Sequence, residues 1–178
     1  MCPSWQMALI AEPLVLWLSK LGLGAEVMTT TFNQRRGEVS RDRGGRVDIA
    51  AAVAEFHSAF NLPIRQLPGT EIDYALARLR VALLEEEVSE FVTASEKGDL
   101  IGITDALADI VYVAYGTALT YGIDLDLALQ EVHRSNMSKL GSDGAPLIRS
   151  DGKVLKSERY SPPDIAAVLR RQGPLGLA

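Results

Sequence analysis

Residues 83–113 read LLEEEVSEFVTASEKGDLIGITDALADIVYV, and this stretch decides the fold. At its centre, Lys97-Gly98 is a basic last turn followed by a C′ glycine, the signature of a helix end. Asp99 follows at once as a residue able to cap the next helix. Upstream, Leu76, Leu79 and Leu83 recur at helical spacing, so the spacing predicts a helix from about Ile72 to Glu96. Downstream, an apolar run continues to Tyr121-Gly122 and predicts a second long helix.

Working outward, Ile49, Val53 and Phe56 are spaced by four and three and predict a short helix over about Asp48 to Phe60. Asn61, Pro63, Pro68 and Gly69 punctuate the loop that follows. Asp124 can cap a fourth helix reaching about Leu140-Gly141. Pro146 to Arg149 and Lys153 to Lys156 flank Ser150-Asp151-Gly152, which reads as a small hairpin or hairpin-like loop. Pro162-Pro163 precede a last helix, about Asp164 to Arg170, and the tail from Gln172 reads as frayed. The fold class is all-α: a four-helix core with a short hairpin-like loop and a C-terminal helix. Residues 47–171 form the domain and 172–178 the tail. Residues 1–46, with Thr29-Thr30-Thr31, Arg35-Arg36 and Gly44-Gly45, read as a flexible extension or as the product of an early start, Met7 and Met28 being alternative starts.

The chain has 178 residues, an apolar fraction of 47% and a net charge of -5. That is enough apolar content for a real core, and the charge argues against a surface that grips nucleic acid. Its one cysteine, Cys2, excludes internal disulfides and cysteine-based zinc sites and fits the cytoplasm. Met7 to Leu23 is apolar but carries Glu12, Pro13 and Lys20 and lacks the basic opening of a signal peptide. Leu100 to Gly122 is apolar enough to span a bilayer. Asp105 and Asp109 lie well inside it, however, each costing roughly 2.5–3.5 kcal/mol at a bilayer centre. A protein core is the better setting, and no membrane is expected.

The chemistry shows where acids interrupt apolar faces. Continuing the stripe of Leu76, Leu79 and Leu83 by three, four and seven residues gives Glu86, Glu87 and Glu90. Val88, Phe91 and Val92 keep the adjoining face apolar. In the next helix, Asp105 and Asp109 are the only charged residues between Leu100 and Gly122, and they lie four apart on one face. Carboxylates in such surroundings must be neutralised or paired. A hard divalent cation does this, because Mg²⁺ and Mn²⁺ prefer carboxylate oxygens and water. Alone, Leu84-Glu85-Glu86-Glu87 is the pattern of a solvated helix face, but an otherwise apolar helix has no such face for Asp105 and Asp109. A di-iron site is disfavoured: neither His57 nor His133 follows a glutamate by three.

A cationic region comes next. Val132, Asn136 and Lys139 share a helix face, and the following loop adds Arg149, Lys153, Lys156 and Arg159. From Glu131 to Tyr160, six Lys or Arg stand against four acids; from Glu71 to Asp109, ten acids stand against three basic residues. A polyphosphate bridging metal and cations suits such a pair of poles. Arg149 and Arg159 read as ordinary surface charges, Asn136 and Lys139 as either a helix cap or ligand contacts, and His133 as structural or exposed.

These residues resemble the all-α NTP pyrophosphohydrolases, which include MazG, phosphoribosyl-ATP pyrophosphohydrolase and the dimeric dUTPases. The family hallmark is an E-E-x-x-E helix followed by a helix with E-x-x-D. Glu86-Glu87-Val88-Ser89-Glu90 matches the first motif; Asp109 fills the last position of the second, where Ala106 replaces the glutamate and Asp105 stands one residue earlier. Val132 to Leu140, Asp151 to Lys156 and Pro162-Pro163-Asp164 resemble the MazG-like branch with dUTPase activity.

The resemblance covers about Val47 to Leu169. It implies that Glu86, Glu87, Glu90, Asp105 and Asp109 hold Mg²⁺ (or Mn²⁺) and that water oriented by Glu86 attacks the α-phosphate. Lys139, Lys153 or Lys156 offsets charge on the departing pyrophosphate. It also implies a nucleoside triphosphate substrate, dUTP foremost, and a homodimer or homotetramer, which the apolar face of the Leu100–Gly122 helix supports. Candidates for base selection are Phe60, Asn61, Tyr112 and Asn136. Phosphoribosyl-ATP as substrate, and a non-enzymatic helical scaffold, remain the alternatives.

Overall fold

The computed structural model describes residues 47–176. Five helices follow in order: α1 (Ile49–Ala59), α2 (Tyr74–Lys97), α3 (Leu100–Tyr121), α4 (Leu125–Met137) and α5 (Ile165–Arg171). In the loop after α4, β pairing amounts to two isolated antiparallel bridges, Leu140 with Pro146 and Ile148 with Val154. The all-α class therefore holds. The expectation for residues 1–46, and the last two residues of the tail, lie outside the described residues.

Each helix begins at an aspartate whose carboxylate takes up amides that have no partner within the helix. Asp99 Oδ1 accepts from Ile101 and Gly102, both at 3.1 Å, and Asp124 Oδ1 accepts from Leu127 at 3.0 Å. Asp48, Asp73 and Asp164 do the same for α1, α2 and α5. Gly98 and Gly122 end α2 and α3 in the left-handed region, with φ of 65° and 70°. α4 stops three residues short of the expected Leu140. Ser138 caps it instead, its hydroxyl turned onto the Ser135 carbonyl, and the chain bends away towards the hairpin.

α2 and α3 pack along one another over most of their length, and α1 lies across α3. The loop between α1 and α2 satisfies the far end of α3: the Arg65 amide donates to Leu119 O and the Gly69 amide to Tyr121 O. The stretch after α5 is anchored rather than frayed. The Gln172 side chain donates to Gly122 O at 2.7 Å and accepts from the Asp124 amide at 2.9 Å. Leu175 packs into the core with Val53, Ala54 and Leu119, and its amide donates to Gln66 O. A tail that closes polar orphans and buries a leucine has reason to stay in place.

That core is small, and much apolar surface on α2 and α3 is left uncovered. Leu100 is 74% and Ile101 84% exposed, and Val81, Val88, Val92, Leu107 and Val111 are exposed as well. By length and composition alone, α3 is also apolar enough to cross a membrane.

Candidate active site

Two close contacts fix how α2 and α3 face one another. A Cβ added to Gly102 would stand 3.0 Å from Ala94 Cβ. Further along, a Cβ added to Gly116 would stand 2.6 Å from Arg80 Nη2. Both contacts belong to a single antiparallel register. Midway between them, seven residues from each, Glu87 on α2 comes opposite Asp109 on α3. In the same register Glu90 faces Ala106.

Electrostatics report the same convergence. The Glu87 carboxyl is pushed up to about 7, first by burial and then by the charges of Asp109, Glu90, Glu86 and Asp105 in that order. Asp109 is raised too, by burial and then by Asp105. Thus the other four acids act on Glu87, and Asp105 acts on Asp109, with Glu87 and Asp109 half-buried at the centre and Glu86, Glu90 and Asp105 exposed around them. Glu90 and Asp105 line one shallow groove of about 290 Å³, together with Ser89, Thr93 and Lys97.

The chemistry of this donor set fits a hard divalent cation. Every candidate ligand is a carboxylate oxygen, and the mutual repulsion that lifts Glu87 is relieved by a positive charge among them. Among the described residues, no three acids, histidines or cysteines are already gathered tightly enough to cage an ion. The acids are therefore convergent but not closed. Ala106, where the resembled family carries glutamate, is 2% exposed and packed inside the helix pair. Asp105 projects about 100° round the helix from that position, into the groove shared with Glu90.

Tyr112 lies three residues beyond Asp109 on α3. Its ring meets Phe56 edge-on at 5.7 Å, and Phe56 also packs on Phe60 at 4.4 Å. Burial, and then the charge of Glu55, raise the Tyr112 phenol. Asn61 ends this aromatic group in a left-handed conformation, φ 54°. Three of the four expected base contacts thus cluster at one end of α1, facing the middle of α3.

The cationic region is not brought to the acids within one chain. α4 leans chiefly on α5, not on α2. Lys139 Nζ donates to Asn136 Oδ1 at 2.8 Å, Lys156 Nζ lies 4.4 Å over the Tyr160 ring, and Lys153 is exposed on the hairpin. None of these groups figures among the charges felt by Glu87 or Asp109. Arg149 pairs with Asp151 on the hairpin itself, and His133 is exposed.

Sequence reasoning missed two features. Lys97, taken only as a helix-ending cation, lines the acidic groove. His57 and Arg80, 2% and 8% exposed, form a buried polar knot against Gly116. Arg80 donates to Thr117 Oγ1 and Val113 O, both at 3.1 Å, and His57 Nδ1 lies 3.0 Å from Pro63 O. The signal was present: Arg80 continues the stripe of Leu76 and Leu83, and Gly116 interrupts an apolar helix.

Residues 53–136 match the family described as phosphoribosyl-ATP pyrophosphohydrolase. A protein of Acanthamoeba polyphaga mimivirus, uncharacterized protein L479, is 32% identical over 109 residues; the match covers 60% of this chain and 41% of that protein. The chain thus matches well under half the length of that relative. A solved structure from Exiguobacterium sp. 255-15, described as an NTP pyrophosphohydrolase, is 27% identical, with a TM-score of 0.40; the match covers 70% of this chain and 95% of the other. Over residues 53–136, somewhat under half of its length, this chain is similar to the phosphoribosyl-ATP pyrophosphohydrolase family.

Proposed function

We propose that this protein is a divalent-metal-dependent nucleoside triphosphate pyrophosphohydrolase that cleaves between the α- and β-phosphates, leaving a nucleoside monophosphate and pyrophosphate. The observation that carries this is Glu87 facing Asp109 across the α2–α3 pair, with the Glu87 carboxyl driven up to about 7 by burial and by four neighbouring acids. Glu86, Glu87, Glu90, Asp105 and Asp109 would hold Mg²⁺ or Mn²⁺. When bound, such an ion supplies Lewis acidity and neutralises phosphate charge.

The remaining work falls to the chain. Glu86, at the exposed rim, orients a water and takes its proton. Lys139, Lys153 and Lys156 offset charge on the pyrophosphate as it leaves. Tyr112, beside Phe56 and Phe60, offers an aromatic surface to the nucleoside, and Asn136 offers an amide. Because the lysines and acids are separated within one chain, a second copy is proposed to bring its α4 end and hairpin over these acids. The exposed valines and leucines on α2 and α3 support a homodimer or homotetramer buried there.

The preferred substrate is dUTP, supported by the resemblance of residues 132–164 to the dUTPase branch, with a role in cleansing the nucleotide pool. A second reading, phosphoribosyl-ATP in histidine synthesis, is favoured by the description of the matching family. Purified protein incubated with Mg²⁺ and a panel of dUTP, other deoxynucleotides, ribonucleotides and phosphoribosyl-ATP separates these by pyrophosphate release. Release from none of them, with Mg²⁺ or Mn²⁺, would leave the helical scaffold instead.

A further inference from the structure

The hairpin that carries Lys153 and Lys156 has two isolated bridges, too little pairing to fix a cation by itself. Contacts to the end of α4 hold it instead. Ser157 Oγ points its single proton between the carbonyls of Ser138, at 3.3 Å, and Leu140, at 2.9 Å. Those two residues flank Lys139. Ser138 Oγ accepts the Ser161 amide at 2.8 Å. Further back on α4, Glu131 takes Arg134 in a two-point ion pair at 2.7 and 2.8 Å and accepts the Asp164 amide at 2.7 Å. Arg134 Nη2 also donates to the Pro162 carbonyl at 3.0 Å. The segment from Ser157 to Asp164 is thereby strapped to α4.

The strap ties together the stretches of chain that carry two lysines. Lys139 sits between the carbonyls that Ser157 grips, and Lys156 is the neighbour of Ser157, its ammonium already over the Tyr160 ring at 4.4 Å. We propose that Ser157, acting through Ser138 and Leu140, is a positioning residue that holds Lys139 and Lys156 together as one polyphosphate-binding pair. This rests on the pyrophosphohydrolase function proposed above. With the strap closed, a phosphate chain meets two ammonium groups whose backbones are fixed in advance. With it open, binding must first order the hairpin, and affinity falls while bond cleavage in the bound state is little changed.

The test compares wild type, Ser157→Ala and Ser157→Thr, each checked for folding by thermal melting. With Mg²⁺ and the best substrate of the panel, Ser157→Ala is expected to raise KM about tenfold while kcat stays within about twofold. Ser157→Thr keeps the hydroxyl and is expected to restore KM. Calorimetric binding of inorganic tripolyphosphate to the metal-free protein should weaken by a similar factor in Ser157→Ala. Should that variant not fold, Ser138→Ala, which removes the other hydroxyl of the strap, carries the same expectation.

Unchanged KM and unchanged tripolyphosphate affinity would overturn the positioning role. So would a loss that Ser157→Thr does not recover. A wild-type protein that hydrolyses no nucleotide yet binds tripolyphosphate in a Ser157-dependent way would remove the proposed reaction and keep the strap. One that does neither overturns both.

Discussion

Glu87 is the side chain on which the site turns, because it sits where the other four acids are felt. Removing its charge, or that of Asp109 opposite, should remove metal binding without unfolding the protein. Changes one shell further out typically cost 10- to 100-fold in metal affinity. Glu87→Gln and Asp109→Asn are therefore each expected to lower kcat/KM by at least about a hundredfold, with melting temperature held or raised in the metal-free protein.

The raised carboxyl also fixes a pH dependence. In the metal-free folded state Glu87 keeps its proton between its ordinary value of 4.5 and about 7, where the unfolded chain has lost it. Its contribution to stability is present at the acid end of that window and declines as pH rises through it. The melting temperature of wild type relative to Glu87→Gln should fall between pH 5 and 7.5. A flat difference would mean that neither burial nor the neighbouring acids raise Glu87. His57 works in the opposite direction: burial first, and then the Arg80 charge, lower its value from 6.5. The unfolded chain takes up the proton first, so stability is full above pH 6.5 and falls as pH drops below it. A His57→Gln variant should lose that acid-side decline in thermal melts.

The α2–α3 pair was legible as two helices but not as a register. Lys97-Gly98-Asp99 announced the turn, and the acids at Glu86, Glu87, Glu90, Asp105 and Asp109 announced a polar patch inside apolar faces. Which acid meets which depends on small residues at crossing points, Gly102 on Ala94 and Gly116 beside Arg80. Arg80 and Gly116 do break an apolar pattern along their own helices, but the pairing that gives them meaning lies on the other helix. Gly116→Ala is expected to cost about 1–3 kcal/mol in denaturant unfolding, because its Cβ would stand 2.6 Å from Arg80 Nη2 and 2.7 Å from His57 Nε2. The end of α4 was overrun for a related reason: Ser138 continues the helical spacing, and besides its local bond to Ser135 O it is tied to the distant Ser157–Ser161 segment, which the local sequence does not announce. The anchoring of Gln172 and Leu175 was likewise invisible locally, resting on Gly122, Asp124 and Gln66.

For the whole molecule, the sequence placed acids and lysines at opposite poles, and the fold keeps them apart. Within one chain the main helix neighbour of α4 is α5, not the acid-bearing α2 or α3. The exposed apolar residues of α2 and α3, with Ile101 84% exposed, are the surface on which a second copy would close the gap. Light scattering at micromolar concentration is expected to give a dimer or tetramer, and Val111→Glu, placed on that surface, should dissociate it and abolish turnover. A fully active monomer would remove the second copy from the site.

The most direct measurement is calorimetric titration of Mn²⁺ and Mg²⁺ into the wild-type protein and into Glu87→Gln/Asp109→Asn, with a non-hydrolysable nucleoside triphosphate present. The convergent acids predict saturable uptake by wild type, with protons released near pH 6.5, and none beyond that of the nucleotide itself in the double variant. Equal uptake by both proteins, or none by either, would contradict a metal centre between α2 and α3.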